Sequence, residues 1–225
     1  MAEAITILNF HGIGEPHERV EPSERPYWMS EGRFREILDL AGRHRRAQQI
    51  FFTFDDGNKS DLAIAAPALK ACGRTSAFYV LAGRFDDPRY LSRGDCRALV
   101  EMGMEVGLHG RDHVDWRALD DAALASEVDA ARAEIAGASG QPVTGVGIPF
   151  GGYDKRVMAF LKARGFTTIR TSDGGSARAG ARVQNRTSIR NDMPLARIAT
   201  LMDGEEPVVS RLRRAASTTL RRHVR

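Results

Sequence analysis

Cysteine, aromatic residues and long apolar runs are all scarce in this chain of 225 residues. The two cysteines, Cys72 and Cys96, lie in separate segments without C-x-x-C spacing, which excludes a disulfide scaffold and a cysteine zinc knuckle. Aromatic residues make up 7% of the chain, which does not by itself favour a large aromatic-lined groove. No window approaches the ~18 apolar residues of a membrane span, and MAEAITILNF lacks the pattern of a signal peptide. We therefore expect a cytoplasmic protein.

Positive charge is concentrated at one end of the chain. The formal charge is +4, but residues 211–225 contain six arginines and no acidic residue, so the remainder sums to −2. A nucleic-acid-binding core is therefore not expected. Apolar residues at helical spacing between Val208 and Leu220 predict a basic helix over 206–225. This helix either docks on a main domain spanning 1–205 or makes a peripheral membrane contact through its arginines.

Short apolar runs alternate with helical patterns along most of the sequence. The predicted strands are 5–10, 49–54, 75–81, 104–108, 143–149 and 166–170. The predicted helices are 31–45, 61–72, 92–102, 120–138 and 153–164. This order implies an α/β fold of mostly parallel strands, either a doubly wound sheet or a barrel that six strands nearly close. Residues 172–194, rich in Gly, Ser, Arg and Asn, are predicted to form a long loop with one short strand.

Two strand ends carry residues that suit a metal ion. Asp55 and Asp56 follow the second strand, and His109 and His113 follow the fourth, where two histidines four apart would fall on one side of a helical turn. In parallel α/β folds, the loops after the strands build the active site. Two imidazoles and the Asp56 carboxylate would leave coordination positions open, as in catalytic zinc sites, with Asp55 free as a base. A helix-capping aspartate and structural histidines are the simpler alternatives.

Two further loops are candidates for substrate contact. Pro149-Phe150-Gly151 and the following Tyr153 form a rigid connection after the fifth strand, whose backbone N–H groups can approach a substrate oxygen. An ordinary strand-to-helix connection would explain the same residues. His11 follows the first strand, where a structural role is as consistent with the sequence as a catalytic one.

In this order the loops resemble the polysaccharide deacetylase family, also called the NodB homology domain or carbohydrate esterase family four. The resemblance implies that Asp55 is the catalytic base, that Asp56, His109 and His113 bind the metal, and that the Phe150 amide helps to hold an oxyanion. It spans roughly residues 5–190 and keeps the family's spacing of about fifty residues between the first two motifs. The implied fold is a distorted (β/α)7 barrel.

The chain departs from the family pattern at three places. Gly147 stands where the family commonly has an arginine that orients the base, and Arg186 is our candidate replacement. Asp173 corresponds to a fourth motif that here lacks its tryptophan. The fifth motif, which normally supplies a histidine acid, is matched only by residues 195–198, which contain no histidine. His11 or the protonated Asp55 is therefore expected to donate the proton.

The resemblance implies a metal-dependent hydrolase that removes N- or O-linked acetyl groups from a carbohydrate. Zn²⁺ is the expected metal, with Co²⁺, Ni²⁺ and Mn²⁺ as alternatives. Substrate contacts are assigned to four residues: Pro149, Gly151, Tyr153 and Asp173. Two other functions stay open, namely hydrolysis of a non-peptide C–N bond in a small molecule and carbohydrate binding by a catalytically impaired homologue.

Overall fold

A barrel of parallel strands forms the centre of the molecule. The computed structural model describes residues 3–204. The strands are β1 (Ala4–Phe10), β2 (Ile50–Phe54), β3 (Ala77–Val80), β4 (Glu105–Leu108), β5 (Gly145–Gly147), β6 (Thr168–Thr171), β7 (Ala177–Arg178), β8 (Val183–Asn185) and β9 (Thr187–Ser188). Seven of them run parallel in the order β1-β2-β3-β4-β5-β6-β8, β9 pairs with β1 in parallel, and β7 pairs with β1 antiparallel.

The barrel nearly closes where the last two parallel strands meet the first. β8 pairs with β6, whereas β9 pairs with β1, and Arg186 alone separates β8 from β9 in the chain. This short segment therefore bridges the two edges of the sheet. The expected distorted barrel of mostly parallel strands is confirmed.

Helices cover the outside of the barrel. They are α1 (Glu31–Arg43), α2 (Ala66–Ala71), α3 (Arg93–Glu101), α4 (Asp121–Ala125), α5 (Ala131–Ser139), α6 (Lys155–Ala163) and α7 (Leu195–Met202). Two π-helical turns, Asp61–Ala65 and Ser126–Ala130, lead into α2 and α5. The Asp120 carboxylate caps α4 by accepting the Ala123 N–H at 2.8 Å.

The segment between β6 and α7 differs from its prediction. Residues 172–194 contain three short strands rather than one, because strands of two or three residues leave no hydrophobic period in the sequence. Helix α7, which the sequence analysis did not predict, buries Ile198 and Met202. The basic helix predicted for 206–225 lies outside the described residues. Among the helices of residues 3–204, none has the length and hydropathy needed to cross a bilayer.

Stacked phenylalanines fix the strand ends that carry the polar loops. The rings of Phe10 and Phe54 lie 5.5 Å apart, and those of Phe54 and Phe78 lie 4.8 Å apart. All three side chains are fully buried, and burying each one stabilises the fold by roughly 1.5–3 kcal/mol. The next residues after Phe10 and Phe54 are His11 and Asp55, so this packing places both groups at the same end of the barrel.

Candidate metal and active site

Three side chains that are distant in sequence converge at the carboxyl ends of the strands. The Nε2 atoms of His109 and His113 lie 3.5 and 3.4 Å from Oδ1 of Asp56. The three donor atoms all lie within 4.8 Å of one another. Donors bound at 2.0–2.2 Å in a tetrahedral site lie roughly 3.3–3.6 Å apart. Asp56 Oδ1 is buried without a hydrogen-bond partner among the described residues, so the cluster fits a divalent metal.

A hydrogen bond orients the imidazole of His109, and a carboxylate lies beside that of His113. His109 Nδ1 lies 2.8 Å from the Gly147 carbonyl oxygen, which can only accept, so Nδ1 carries a hydrogen and Nε2 is the nitrogen that faces Asp56 and could bind a metal. His113 Nδ1 faces the Glu24 carboxylate at 3.4 Å in the same sense. Burial lowers the pKa of His113 to about 4, which keeps this imidazole neutral at neutral pH. A neutral imidazole is the form that binds a metal.

The backbone of the site is strained at three residues. Asp56, His113 and Phe150 have φ values of 75°, 54° and 56°, and they are the three non-glycine residues of 3–204 in the left-handed region. Such conformations cost about 1–3 kcal/mol each and persist where the surrounding structure holds them. The predicted helical turn carrying both histidines is wrong, because residues 109–115 form an irregular loop. The left-handed backbone, rather than helical spacing, brings His113 to Asp56.

Asp55 lies beside the cluster in a buried network. Arg186 donates to both of its oxygens, Nη1 to Oδ1 at 2.6 Å and Nη2 to Oδ2 at 2.8 Å, and Asn9 donates to Oδ2 at 2.9 Å. Burial disfavours the carboxylate, but the Arg186 charge and its hydrogen bonds hold the pKa of Asp55 below its usual value. The carboxylate is therefore ionised at neutral pH.

The absence of a side chain at Gly147 leaves room for the guanidinium of Arg186. A Cβ at position 147 would lie 3.3 Å from Arg186 Nη2 and 3.3 Å from Asp55 Oδ1. A larger side chain at position 147 would therefore displace the guanidinium of Arg186. The arginine expected near Asp55 enters from the bridge between β8 and β9 instead of from β5.

A cavity of about 280 Å³ opens above the cluster. Its wall includes the cluster and Asp55 together with His11, Glu24, Tyr27, Phe150, Ser172 and Ser188. The Phe150 side chain is 62% exposed, and its ring centroid lies 4.2 Å from that of His113. An apolar surface is thus available to a ligand next to the candidate metal site.

His11 contributes to the same wall. Its ring lies 5.0 Å from that of Tyr27, and its Nδ1 is buried without a partner among residues 3–204. Burial lowers the pKa of His11, although the nearby charges of Asp56 and Asp55 oppose that shift. The imidazole is therefore neutral at neutral pH.

The four residues assigned to substrate contact lie deeper. Pro149 and Gly151 are buried, and Tyr153 is 1% exposed and donates to Asp173 Oδ2 at 2.6 Å. Pro149 and Gly151 flank Phe150 in the chain, and none of the four residues is among those that line the cavity of the described structure. Their direct contact with substrate stays a prediction.

The sequence of the chain matches a known protein family. A family model described as polysaccharide deacetylase matches residues 42–169, more than half of the chain. The chain belongs to the polysaccharide deacetylase family. The resemblance drawn from the motifs is confirmed, and so is the expectation of a hydrolase acting on carbon–nitrogen bonds. No curated protein matches the sequence.

Several solved structures have a similar fold. The Streptococcus pyogenes deacetylase PplD, solved in complex with acetate, is 18% identical with a TM-score of 0.76, covering 92% of this chain and 100% of that one. The Bacillus cereus polysaccharide deacetylase BC0361 is 18% identical with a TM-score of 0.76, covering 89% and 69%. IcaB from Ammonifex degensii is 21% identical with a TM-score of 0.72, covering 88% and 97%. At these identities the similarity shows a shared fold.

Sequence reasoning missed several polar residues of this deacetylase-family site. Asn9 is fully buried, and besides contacting Asp55 it accepts from Thr53 Oγ1 and Arg186 Nη1, both at 2.7 Å. An amide inside the apolar strand ITILNF was a signal for its role, because a buried amide requires partners. Glu24 lies in the long β1–α1 loop, outside the matched residues 42–169, and no motif marks it.

Proposed function

We propose that this protein is a divalent-metal-dependent hydrolase that removes N- or O-linked acetyl groups from a carbohydrate. Family membership supports carbohydrate deacetylation. The observation that carries the metal dependence is the convergence of Asp56, His109 and His113 on one point of the cavity. The adjacent Asp55 carboxylate supports hydrolysis, because its network keeps it ionised and aimed at the same cavity.

The donor set is consistent with Zn²⁺ and leaves room for further ligands. Two imidazoles and one carboxylate are common zinc ligands, and Co²⁺, Ni²⁺ and Mn²⁺ accept the same set. When bound, such an ion polarises the acyl oxygen and lowers the pKa of water from 15.7 toward ~7. His109, the neutral His113 and the ionised Asp56 are the residues that would hold it.

Asp55 is the proposed proton acceptor. As water adds to the acyl carbon, the carboxylate takes one proton, while Arg186 and Asn9 keep its two oxygens in a fixed orientation. The Phe150 amide is the proposed donor to the oxygen on which negative charge develops. Phe150 has a left-handed backbone conformation, with a φ of 56°.

Collapse of the tetrahedral adduct breaks the bond between the acyl carbon and the leaving nitrogen or oxygen. The leaving atom needs a proton. His11 is neutral and would have to gain a proton before it could act as the acid. Asp55 already carries the proton taken from water, so we propose that Asp55 passes this proton to the leaving atom. The products are acetate and the free amine or hydroxyl of the sugar.

The proposal is tested with Asp55→Asn and with Asp192→Asn, an exposed control on the surface. We expect the zinc-loaded Asp55→Asn variant to lose at least 100-fold in kcat on a chromogenic acetyl ester, the scale of general base catalysis, and the control to match the wild type. Acetate release from an N-acetylated oligosaccharide is measured in parallel. Equal rates for Asp55→Asn and the wild type would contradict the assignment of Asp55 as the general base. Glycan binding without turnover by the wild type would favour the impaired homologue.

A further inference from the structure

The loop that carries the second histidine is held by backbone contacts on one side. The Ala82 N–H donates to the Gly110 carbonyl at 3.1 Å, and the Gly83 N–H donates to the Arg111 carbonyl at 3.0 Å. These bonds tie residues 110–111 to the segment after β3. They occupy carbonyl oxygens of the loop, so its N–H groups require acceptors from elsewhere.

One buried carboxylate supplies those acceptors. Glu127 Oε2 accepts the Arg111 N–H at 3.0 Å, and Glu127 Oε1 accepts the Asp112 N–H at 3.0 Å. The indole N–H of Trp116 lies 3.4 Å from Oε2. Glu127 is 5% exposed, so these donors compensate most of the cost of removing its charge from water. The carboxylate therefore clamps the middle of the loop between His109 and His113.

The fit between the loop and this carboxylate is tight. Gly110 has a φ of 103°, and a Cβ at this position would lie 2.7 Å from Glu127 Oε2. Glu127 belongs to the π-helical turn Ser126–Ala130, where the helix departs from its regular repeat. Such turns often occur at functional sites, because they redirect a side chain from the helix surface.

We propose that Glu127 is a positioning residue for the metal site, acting through the loop that carries His113. The clamp ends at Asp112, directly before the left-handed His113 that faces Asp56 at 3.4 Å. Without it, the loop would relax from this strained conformation and His113 Nε2 would leave the cluster. The inference rests on the proposed metal site.

The test measures zinc affinity of the metal-free full chain by competition with a chromogenic chelator. Glu127→Gln keeps the size of the side chain but replaces one acceptor oxygen with a donor. We expect its zinc Kd to rise 10–100-fold, the range seen when a partner of a metal ligand is removed. The matched control is Glu134→Gln on the same helix face, since Glu134 contacts the loop only through the Arg111 side chain, at 3.4 Å. Its Kd should stay within twofold of the wild type.

A second measurement separates positioning from general stability. In a His113→Ala background, Glu127→Gln should have little further effect on the zinc Kd, because the residue through which it acts is gone. Three outcomes would overturn the proposal. Glu127→Gln could leave the zinc Kd unchanged, or it could change the Kd equally in both backgrounds. It could also fail to fold while Glu134→Gln folds. If the wild type itself binds no zinc, the proposed function fails instead, which distinguishes the two failures.

Discussion

Replacing Arg186 by methionine removes the cation from the interior of the barrel. Arg186 is fully buried, and its guanidinium contacts both oxygens of Asp55, Asn9 Oδ1 at 2.7 Å and Thr53 Oγ1 at 3.3 Å. Methionine fills a similar volume without charge. The substitution therefore leaves the carboxyl group of Asp55, which is 3% exposed, without its cation.

The size of the effect follows from this burial. Removing one partner of a buried ion pair costs about 3–5 kcal/mol, because the remaining charge is left uncompensated. Replacing both partners by neutral groups is much less costly. We therefore expect Arg186→Met to lower the free energy of unfolding by about 3–5 kcal/mol, and Asp55→Asn in that background to restore most of the loss.

Urea unfolding of the metal-free protein measures this, because chelation removes any contribution of metal binding to stability. Arg190→Met is the matched control: Arg190 is 42% exposed and pairs with Asp192 on the surface, so its loss should change the free energy by less than about 1 kcal/mol. A loss below about 1 kcal/mol for Arg186→Met, or a double variant no more stable than Arg186→Met, would refute the buried-pair reasoning.

Two further predictions concern backbone strain and pH. Phe150→Gly should be more stable to urea than Phe150→Ala by about 1 kcal/mol, because glycine adopts the left-handed backbone without the penalty of a Cβ; the opposite order would contradict strain at this position. Arg89 lowers the pKa of Asp87 to about 2, below its usual 3.8, so the pair stabilises the fold above about pH 4 and the effect is lost as the pH falls toward 2. The stability difference between wild type and Asp87→Asn should shrink over that interval, and a difference that grows would reverse the assigned sign.

The sequence predicted the strands and the residues at their ends because burial imposes a period. The apolar runs before Asp55 and His109 mark the strand ends. The polar residues that directly follow parallel strands lie at the carboxyl edge of the sheet. The cluster of Asp56, His109 and His113 could be anticipated for that reason. Their orientation could not, because the left-handed conformations of Asp56 and His113 depend on contacts made by other segments.

The contacts missed by sequence reasoning share a physical cause. Glu127 falls within a predicted helix where a glutamate is ordinarily a solvated residue, and the π-helical turn that directs it inward leaves no sign in the sequence pattern. Glu24 reaches His113 from an irregular loop. Arg186 was suggested as the partner of Asp55 because an arginine was missing at position 147, and its orienting role stays a prediction to be tested.

Closure of the barrel and orientation of the proposed base depend on the same residue position. Arg186 lies between a strand that pairs with β6 and one that pairs with β1, and its backbone N–H donates to the Thr171 carbonyl at 3.0 Å. Its side chain can reach Asp55 only when both pairings form, because each fixes one side of the bridge. Conversely, the buried charge of Asp55 favours the closed arrangement by attracting the guanidinium inward. Loss of either strand pairing would therefore remove the Arg186 contact that orients Asp55 and would also destabilise the fold. We expect substitutions of Arg186 to change stability and activity together.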